Sequence, residues 1–388
     1  MNDVQWLGER AMQDVYLTAA GACLPGAPVP NDRMVRHIGV LDPQSERLGR
    51  LILRHNRIET RHYALTETGE ATHSNASLAA TALRDAMGNG GYGMEELSLL
   101  AAATTQGDLL VPGHASAVHG ELGAGPLEIA SFQSVCASSM MAAKYAALSV
   151  GAGEARLAAA TGSEFSSRWF RPSFYTPAEE LLQNKEHRMA AEFLRWTLSD
   201  GGGAVLFADR PGARTPSYKV EWITLTSLAD RFETCMIAGQ GPEHREDLRN
   251  SWSFHPGGPA AAARDGAIML YQDMVLLKRI IRAWVGEYLK LVDGGRVDPK
   301  GVDWLLCHYS AHSLREEIIS LLKTTGGMID EEKWFTNLPT AGNTGSASLF
   351  VMLDEFNRKG LARPGDKILC IVPESGRAVI SFMMLTAL

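Results

Sequence analysis

Strands alternating with helices through both halves of the chain predict a layered α/β protein. Three observations carry that prediction. The 388 residues are 45% apolar and 21% charged, enough to bury a large core as two domains or one large α/β unit. Apolar runs of strand length recur between stretches of helical periodicity. The 38 glycines fall mostly at strand-to-helix junctions and do not gather in one linker. A Pro/Gly-rich cluster, Asp209-Arg-Pro-Gly-Ala-Arg-Thr-Pro216, follows a strand and divides the chain into halves of residues 1–212 and 213–388. No residue-level repeat is visible between them.

In order, Val15 to Leu24 reads as an opening strand ended by Pro25-Gly-Ala-Pro28, and residues 31–53 as helices and loops of a polar cap. The basic run Arg54 to Tyr63 reads as solvated surface, ahead of a loop at a substrate mouth. Asn75 to Met87 is an amphipathic helix, with Leu78, Ala82, Leu83 and Met87 on one face. Leu97 to Thr105 is a buried strand, followed by a long polar loop through Pro112-Gly-His114 and a short helix, Ala115 to Leu122. A strand from Leu127 to Phe132 then meets Cys136, and a helix runs on to about Val150. Ala155 to Thr161 is a further strand. Residues 164–196 carry Phe165, Trp169, Phe170, Phe174 and Tyr175 and are expected as an irregular insertion over one end of a sheet. Those aromatics either line a tunnel or pack the cap. Ser199-Asp200-Gly-Gly-Gly203 makes a tight turn into the strand Ala204 to Ala208.

The second half repeats the logic. Tyr218 to Ser227 is a strand, residues 239–264 a loop, and Ile268 to Val292 the longest helical pattern. Trp304 to Cys307 is a strand ending at His308, with a helix from His312 to Leu322. Asn343 opens the way to a helix from Leu349 to Phe356, and Ile368–Val372 and Val379–Thr386 are closing strands.

Composition excludes several classes. A net charge of -7 with no basic block argues against a nucleic-acid partner. No apolar run approaches a membrane span. The opening Met1-Asn-Asp-Val-Gln-Trp lacks the order of a signal peptide, and the five cysteines lie far apart with no metal-ligand spacing. A cytoplasmic, metal-free protein is the expectation.

Three residues share one placement. Cys136, His308 and Asn343 each stand where a sheet-side segment hands over to a helix, and in layered α/β folds such ends gather where ligands sit. The N-terminal amides and dipole of the helix after Cys136 are expected to favour its thiolate. A thiolate nucleophile suits an activated acyl thioester, and a histidine with an amide donor suits an oxyanion or enolate. Taken singly, Cys136 reads as a buried small residue, His308 as a satisfied histidine and Asn343 as a helix cap. Their coincidence favours the catalytic reading.

The residues around them carry a family resemblance over nearly the whole chain, from Val15 to Leu385. Cys136-Ala-Ser-Ser-Met140, Leu306-Cys-His308-Tyr-Ser-Ala, Gly342-Asn343-Thr-Gly-Ser-Ala-Ser348 and Ser199-Asp200-Gly-Gly-Gly-Ala204 resemble, in order, the four motifs of the β-ketoacyl-ACP synthase III group of the thiolase superfamily. The resemblance implies a five-layered αβαβα thiolase fold of two pseudo-duplicated halves and a homodimer. It implies an acyltransferase with catalytic Cys136, His308 and Asn343 acting on acyl-CoA or acyl carrier protein thioesters, with no cofactor beyond the carrier's phosphopantetheine.

The chain departs from the housekeeping pattern in places. Its histidine motif reads His-Tyr-Ser-Ala-His, so Ala311 stands where an asparagine is usual, and Pro373-Glu374-Ser-Gly-Arg377 replaces a glycine-rich segment. These departures, with Leu24-Pro-Gly-Ala-Pro28 and Arg54 to Arg61, look more like condensing enzymes that form dialkylresorcinols and their cyclohexanedione precursors. Leu194-Arg-Trp196, Glu233-Thr-Cys-Met236 and Val111-Pro-Gly-His114 fit that subgroup too. Glu374, Ser375 and Gly376 are candidate substrate-binding residues. Glu374 is either a base or hydrogen-bond acceptor, or a partner of Arg377 bracing the loop. Amides near Cys136 and in this loop are expected as the oxyanion hole. The expected reaction is a Claisen condensation of an acyl thioester, held on Cys136, with a β-ketoacyl or malonyl thioester. Acyl transfer to oxygen or nitrogen, fatty-acid initiation, and a non-catalytic partner subunit are the alternatives.

Overall fold

The computed structural model describes residues 12–214, 216–244 and 247–388. Ten strands form one sheet: β1 (Tyr16–Cys23), β2 (Leu99–Thr104), β3 (Glu128–Gln133), β4 (Leu157–Glu164), β5 (Gly201–Ala208), β6 (Tyr218–Ser227), β7 (Trp304–Cys307), β8 (Trp334–Phe335), β9 (Lys367–Glu374) and β10 (Val379–Ala387). The longer helices are α1 (Pro43–Asn56), α2 (Asn75–Gly90), α3 (His114–Leu122), α4 (Ser138–Gly151), α5 (Lys185–Thr197), α6 (Met274–Asp293), α7 (His312–Thr325) and α8 (Ser348–Arg358).

The strand order is β8-β7-β9-β10-β6-β1-β5-β4-β2-β3. It splits into two sets of identical topology. In each set the first strand pairs antiparallel with the fifth and the fifth antiparallel with the fourth; the fourth, second and third then run parallel. Among the described residues the strands of the two sets pair through β1 and β6 alone, at Tyr16–Lys219 and Leu17–Tyr218. The duplication lies in connectivity, where a sequence with no visible repeat conceals it.

Five layers follow, as the resemblance implied. α2 and α3 cover one face of the first strand set, and α6 and α7 cover one face of the second. Between the sets lie α4 and α8, packed against residues of both. α4 reads Ser-Ser-Met-Met-Ala-Ala-Lys-Tyr-Ala-Ala-Leu-Ser-Val-Gly, small or apolar nearly all round, which suits a helix buried between two sheets. β2 and β4 are buried along their whole length for the same reason, having helices on both faces.

Several expectations needed correction. The Gly201-Gly-Gly203 run lies inside β5, and the tight turn ends before it. A Cβ on Gly202 would fall 2.3 Å from the Leu78 carbonyl oxygen of α2, and one on Gly203 would fall 2.7 Å from Cβ of Phe350 in α8. The glycines therefore let helices approach the strand from both sides. Residues 164–196 end in α5, where the Asn184 side chain caps the amides of Glu186 and His187. α6 starts at Met274, later than the apolar pattern, because Asp273 caps Val275 and Leu276. The run from Arg54 to Tyr63 is solvated only in part: Arg54, His55, Arg57 and Glu59 are exposed, but Ile58, Arg61, His62 and Tyr63 are buried, with Arg61 held by Asn31 and Met34. The polar loop before Pro112 carries an apolar tip, Leu109-Leu-Val111, which is exposed.

Candidate functional site

Cys136 and Asn343 occupy equivalent places in the two halves. Each lies between the third strand of its set and the central helix, Cys136 ahead of α4 and Asn343 ahead of α8. Both line one narrow cavity of about 30 Å³, with Leu194, Leu198, Ser310 and Ser375 among its walls. His308 follows β7 and lines a smaller adjoining cavity that shares Ser310 and Ser375. The first cavity also shares Thr105, Val135, Trp169, Met236 and Leu270 with a cleft of about 500 Å³.

Cys136 is 5% exposed. Burial raises its pKa well above the ordinary thiol value, and the charges of Glu374 and Glu164 add to the effect. The amide of Ala137, expected to serve an oxyanion, instead donates to Glu374 Oε2 at 3.1 Å. These two facts correct the expectation of a thiolate: the resting group is a thiol, because burial first, and then the two nearby carboxylates, oppose its ionisation.

His308 is 4% exposed, its backbone N–H donates to the Ile371 carbonyl at 2.9 Å, and its Nε2 has no partner among the described residues. Burial holds its pKa down at about 4, so the ring is neutral at physiological pH. Asn343 Oδ1 accepts from the Gly345 amide at 3.0 Å, which leaves the amide nitrogen as the donor turned away from that contact. Gly345 has φ of 55°, and a Cβ there would meet Glu164 Cγ at 2.9 Å, so both backbone and space call for glycine.

The candidates near the C-terminus separate. Ser375 lines the cavity with Cys136 and Asn343. The Gly376 carbonyl accepts from Cys235 N at 2.9 Å, and a Cβ at Gly376 would sit 2.9 Å from Val135 Cγ2. Glu374 accepts from Ser134 Oγ at 2.6 Å as well as from Ala137 N, so it braces the cysteine turn. Arg377 donates elsewhere, to the Phe232 carbonyl.

Sequence reasoning missed several residues of the cavity, Glu164 and Gln272 among them. Glu164 ends β4, and its Oε1 accepts from Thr105 N, Thr105 Oγ1, Ser346 N and Ser346 Oγ. Gln272 lines the same cavity and its buried side-chain nitrogen has no partner among the described residues. Neither stands in a patterned motif; a glutamate just beyond the apolar strand that runs to Thr161 is the one clue the sequence held for Glu164. The aromatics divide as well. Trp169 lines the cavity and the cleft, with the Phe174 ring tilted against it at 5.0 Å between centroids, while Phe170 and Tyr175 pack the cap. Arg195, of the Leu194-Arg-Trp196 segment, is a buried tie of that cap, donating to Phe170, Glu192, Ser45, Ile38 and Gly39. His312 pairs with Glu316 at the surface.

Comparison with known proteins agrees with this architecture. Residues 293–383 match the model of the 3-oxoacyl-[acyl-carrier-protein (ACP)] synthase III C-terminal family. A β-ketoacyl-[acyl-carrier-protein] synthase III of Hyphomonas neptunium is 25% identical over 357 residues, covering 91% of this chain and 93% of that one. A Streptomyces coelicolor counterpart is 26% identical over 359 residues, covering 91% of each. Among solved structures, the tetronic acid condensing enzyme AbyA1 superposes with a TM-score of 0.72 at 21% identity, covering 96% of this chain and 99% of its own. OleA of Xanthomonas campestris, crystallised with lauric acid and lauroyl-CoA, gives a TM-score of 0.73 at 18% identity, covering 97% and 99%. Over residues 293–383 the chain thus matches that C-terminal family, and over nine-tenths of its length it is similar to β-ketoacyl synthases III and shares the fold of the condensing enzymes AbyA1 and OleA.

Proposed function

We propose that this protein joins two acyl groups by Claisen condensation, with Cys136 carrying the first, and that it does so in dialkylresorcinol or cyclohexanedione formation. The observation that carries the reading is the meeting of Cys136 and Asn343, from opposite halves, on one narrow cavity that adjoins His308, whose Nε2 is unpartnered among the described residues.

In the first step, Cys136 attacks an acyl thioester. A C–S bond to Cys136 forms, the carrier's C–S bond breaks, and the Cys136 proton leaves with the carrier thiol. In the second, a β-ketoacyl thioester loses an α-proton, or a malonyl thioester loses carbon dioxide. The carbanion attacks the acyl carbon, a C–C bond forms, and the Cys136 sulfur leaves and regains a proton. The neutral His308 ring and the Asn343 amide stabilise the enolate oxygen by hydrogen bonding. A donor held in an apolar enclosure suits that task, because the charge appears only in the transition state. In the resorcinol-type reaction an intramolecular C–C closure follows.

The cleft lined by Leu109, Leu110, Phe132, Ile237, Ile268 and Leu270 supports a long alkyl chain, and a structural neighbour crystallised with lauroyl-CoA supports it further. Coenzyme A or carrier-protein phosphopantetheine delivers the substrates, and no resident cofactor is needed. The enzyme works as a cytoplasmic homodimer. β3 lies at the edge of the sheet with Ile129 exposed, and the exposed Leu109-Leu-Val111 tip lies beside it across the cleft, a surface suited to a second copy.

Intact-mass spectra against a panel of acyl-CoA and acyl carrier thioesters test the reading. The wild type should gain one acyl group, and Cys136→Ala none; an adduct persisting on the Ala variant overturns it. Products with C–O or C–N linkage and no new C–C bond would overturn the condensation.

A further inference from the structure

β4 and β9 are the fourth strands of their sets, and each is eight residues long and ends in a buried glutamate, Glu164 and Glu374. Each carboxylate reaches out of its own half. Glu164, from the first half, takes the Ser346 amide at 3.3 Å and the Ser346 hydroxyl at 2.7 Å, in the turn that joins Asn343 to α8. Glu374, from the second half, takes the Ser134 hydroxyl and the Ala137 amide, on the two sides of Cys136. Equivalent strand ends thus hold each other's helix-opening loops.

We propose that Glu164 and Glu374 are reciprocal positioning residues that set Cys136 against Asn343. The inference rests on the condensation reading above. Isolated carboxylates this deep are costly, and hydrogen bonds to several donors offset the cost. For Glu374 the arrangement has a second cost, since its charge opposes ionisation of Cys136. A carboxylate that works against the thiolate is explained by what it holds in place: Ser134 before the nucleophile and Ala137 after it. The charged or titratable groups bearing on Cys136 from the neighbouring elements are Glu374 at the end of β9 and Glu164 at the end of β4, with His308 beyond β7 lining the adjoining cavity.

The two clamps differ in how many oxygens they use, and this makes them separable. The donors on Glu164 all converge on one oxygen, so Glu164→Gln keeps its acceptor and Glu164→Leu loses it. Glu374 uses both oxygens, so Glu374→Gln presents an NH2 group to one donor.

The test follows two reactions of Cys136 in the full chain. Iodoacetamide alkylation needs only a thiolate; acylation by a thioester needs a thiolate in register. For Glu374→Gln, alkylation should quicken, because a neighbouring charge is gone, while acylation slows by about 10-fold or more. Both reactions quickening would make the residue purely electrostatic and overturn the proposal, as would acylation at the wild-type rate. Ser134→Ala breaks the same clamp from its more accessible end without a charge change, and should slow acylation with little added effect in the Glu374→Gln background. Fully additive losses overturn the coupling, and this variant decides the matter if Glu374→Gln fails to fold. At the other clamp, Glu164→Leu and Ser346→Ala should slow condensation by more than acylation, with Glu164→Gln restoring most of the loss. A Gln variant as impaired as the Leu variant overturns it. A wild type that never acylates Cys136 defeats the functional reading instead, so the two failures are told apart.

Discussion

Cys136 sits where a nucleophile is wanted, yet its surroundings hold it as a thiol at rest. Burial and two carboxylates raise its pKa, so its alkylation should rise steadily with pH through the neutral range with no plateau near 7. Stopped-flow or mass-spectrometric alkylation rates check this. Other buried groups set the pH dependence of stability. Burial holds His114 and His308 down at about 4, and raises Asp200 and Asp354 to about 6. Between about pH 6 and 4 the unfolded chain takes a proton at each histidine that the folded chain refuses, so acidification costs stability there. At the aspartates the folded chain keeps a proton the unfolded one has lost, so acidification adds stability. The two pairs oppose each other. Asp200→Asn removes one aspartate, so relative to wild type it should lose about 1.4 kcal/mol per pH unit as pH falls from about 6 to 4. Urea melts across that range measure the slope, and a parallel pair of curves would refute it.

At the scale of elements, two substitutions separate space from backbone. Gly203→Ala drives a methyl into Phe350 and toward the Ala347 carbonyl oxygen, and the neighbours are backbone and a packed helix that cannot yield. The expected loss is about 1–3 kcal/mol, read from a denaturant midpoint. Arg57 closes α1 with φ of 51°, a left-handed position that costs a side-chain-bearing residue. Arg57→Gly should stabilise the protein by about 1 kcal/mol, since its ion pair with Glu316 is exposed and contributes little. The pattern of strands and helices was readable at this scale wherever a run was amphipathic or uniformly apolar. It misled at Gly201–Gly203, where glycines that permit close packing resemble a turn. It misled again at Ile268, where apolar residues precede a helix whose start an aspartate fixes.

Across the whole molecule, the two strand sets carry the same connectivity and bring their loops to one place. The proposed dimer is tested at this scale. Leu110→Asp places a charge on the exposed apolar tip, and sedimentation should show the variant dissociating at concentrations where the wild type remains dimeric. An unchanged sedimentation coefficient would remove the tip from the interface.

The sequence by itself determined the α/β class, most of the strands and helices of both halves though not α5 or β8, and the order in which Cys136, His308 and Asn343 appear. Those follow from local periodicity, from caps, and from motifs a few residues long. Only the tertiary structure decided that Cys136 rests protonated, that Glu374 braces the cysteine turn and does not pair with Arg377, and that Glu164 holds the loop behind Asn343. It also revealed an architecture duplicated without repeated residues. The reason is physical: a thiol's ionisation and a carboxylate's partners depend on burial and on groups brought near from distant segments. No spacing along the chain records either.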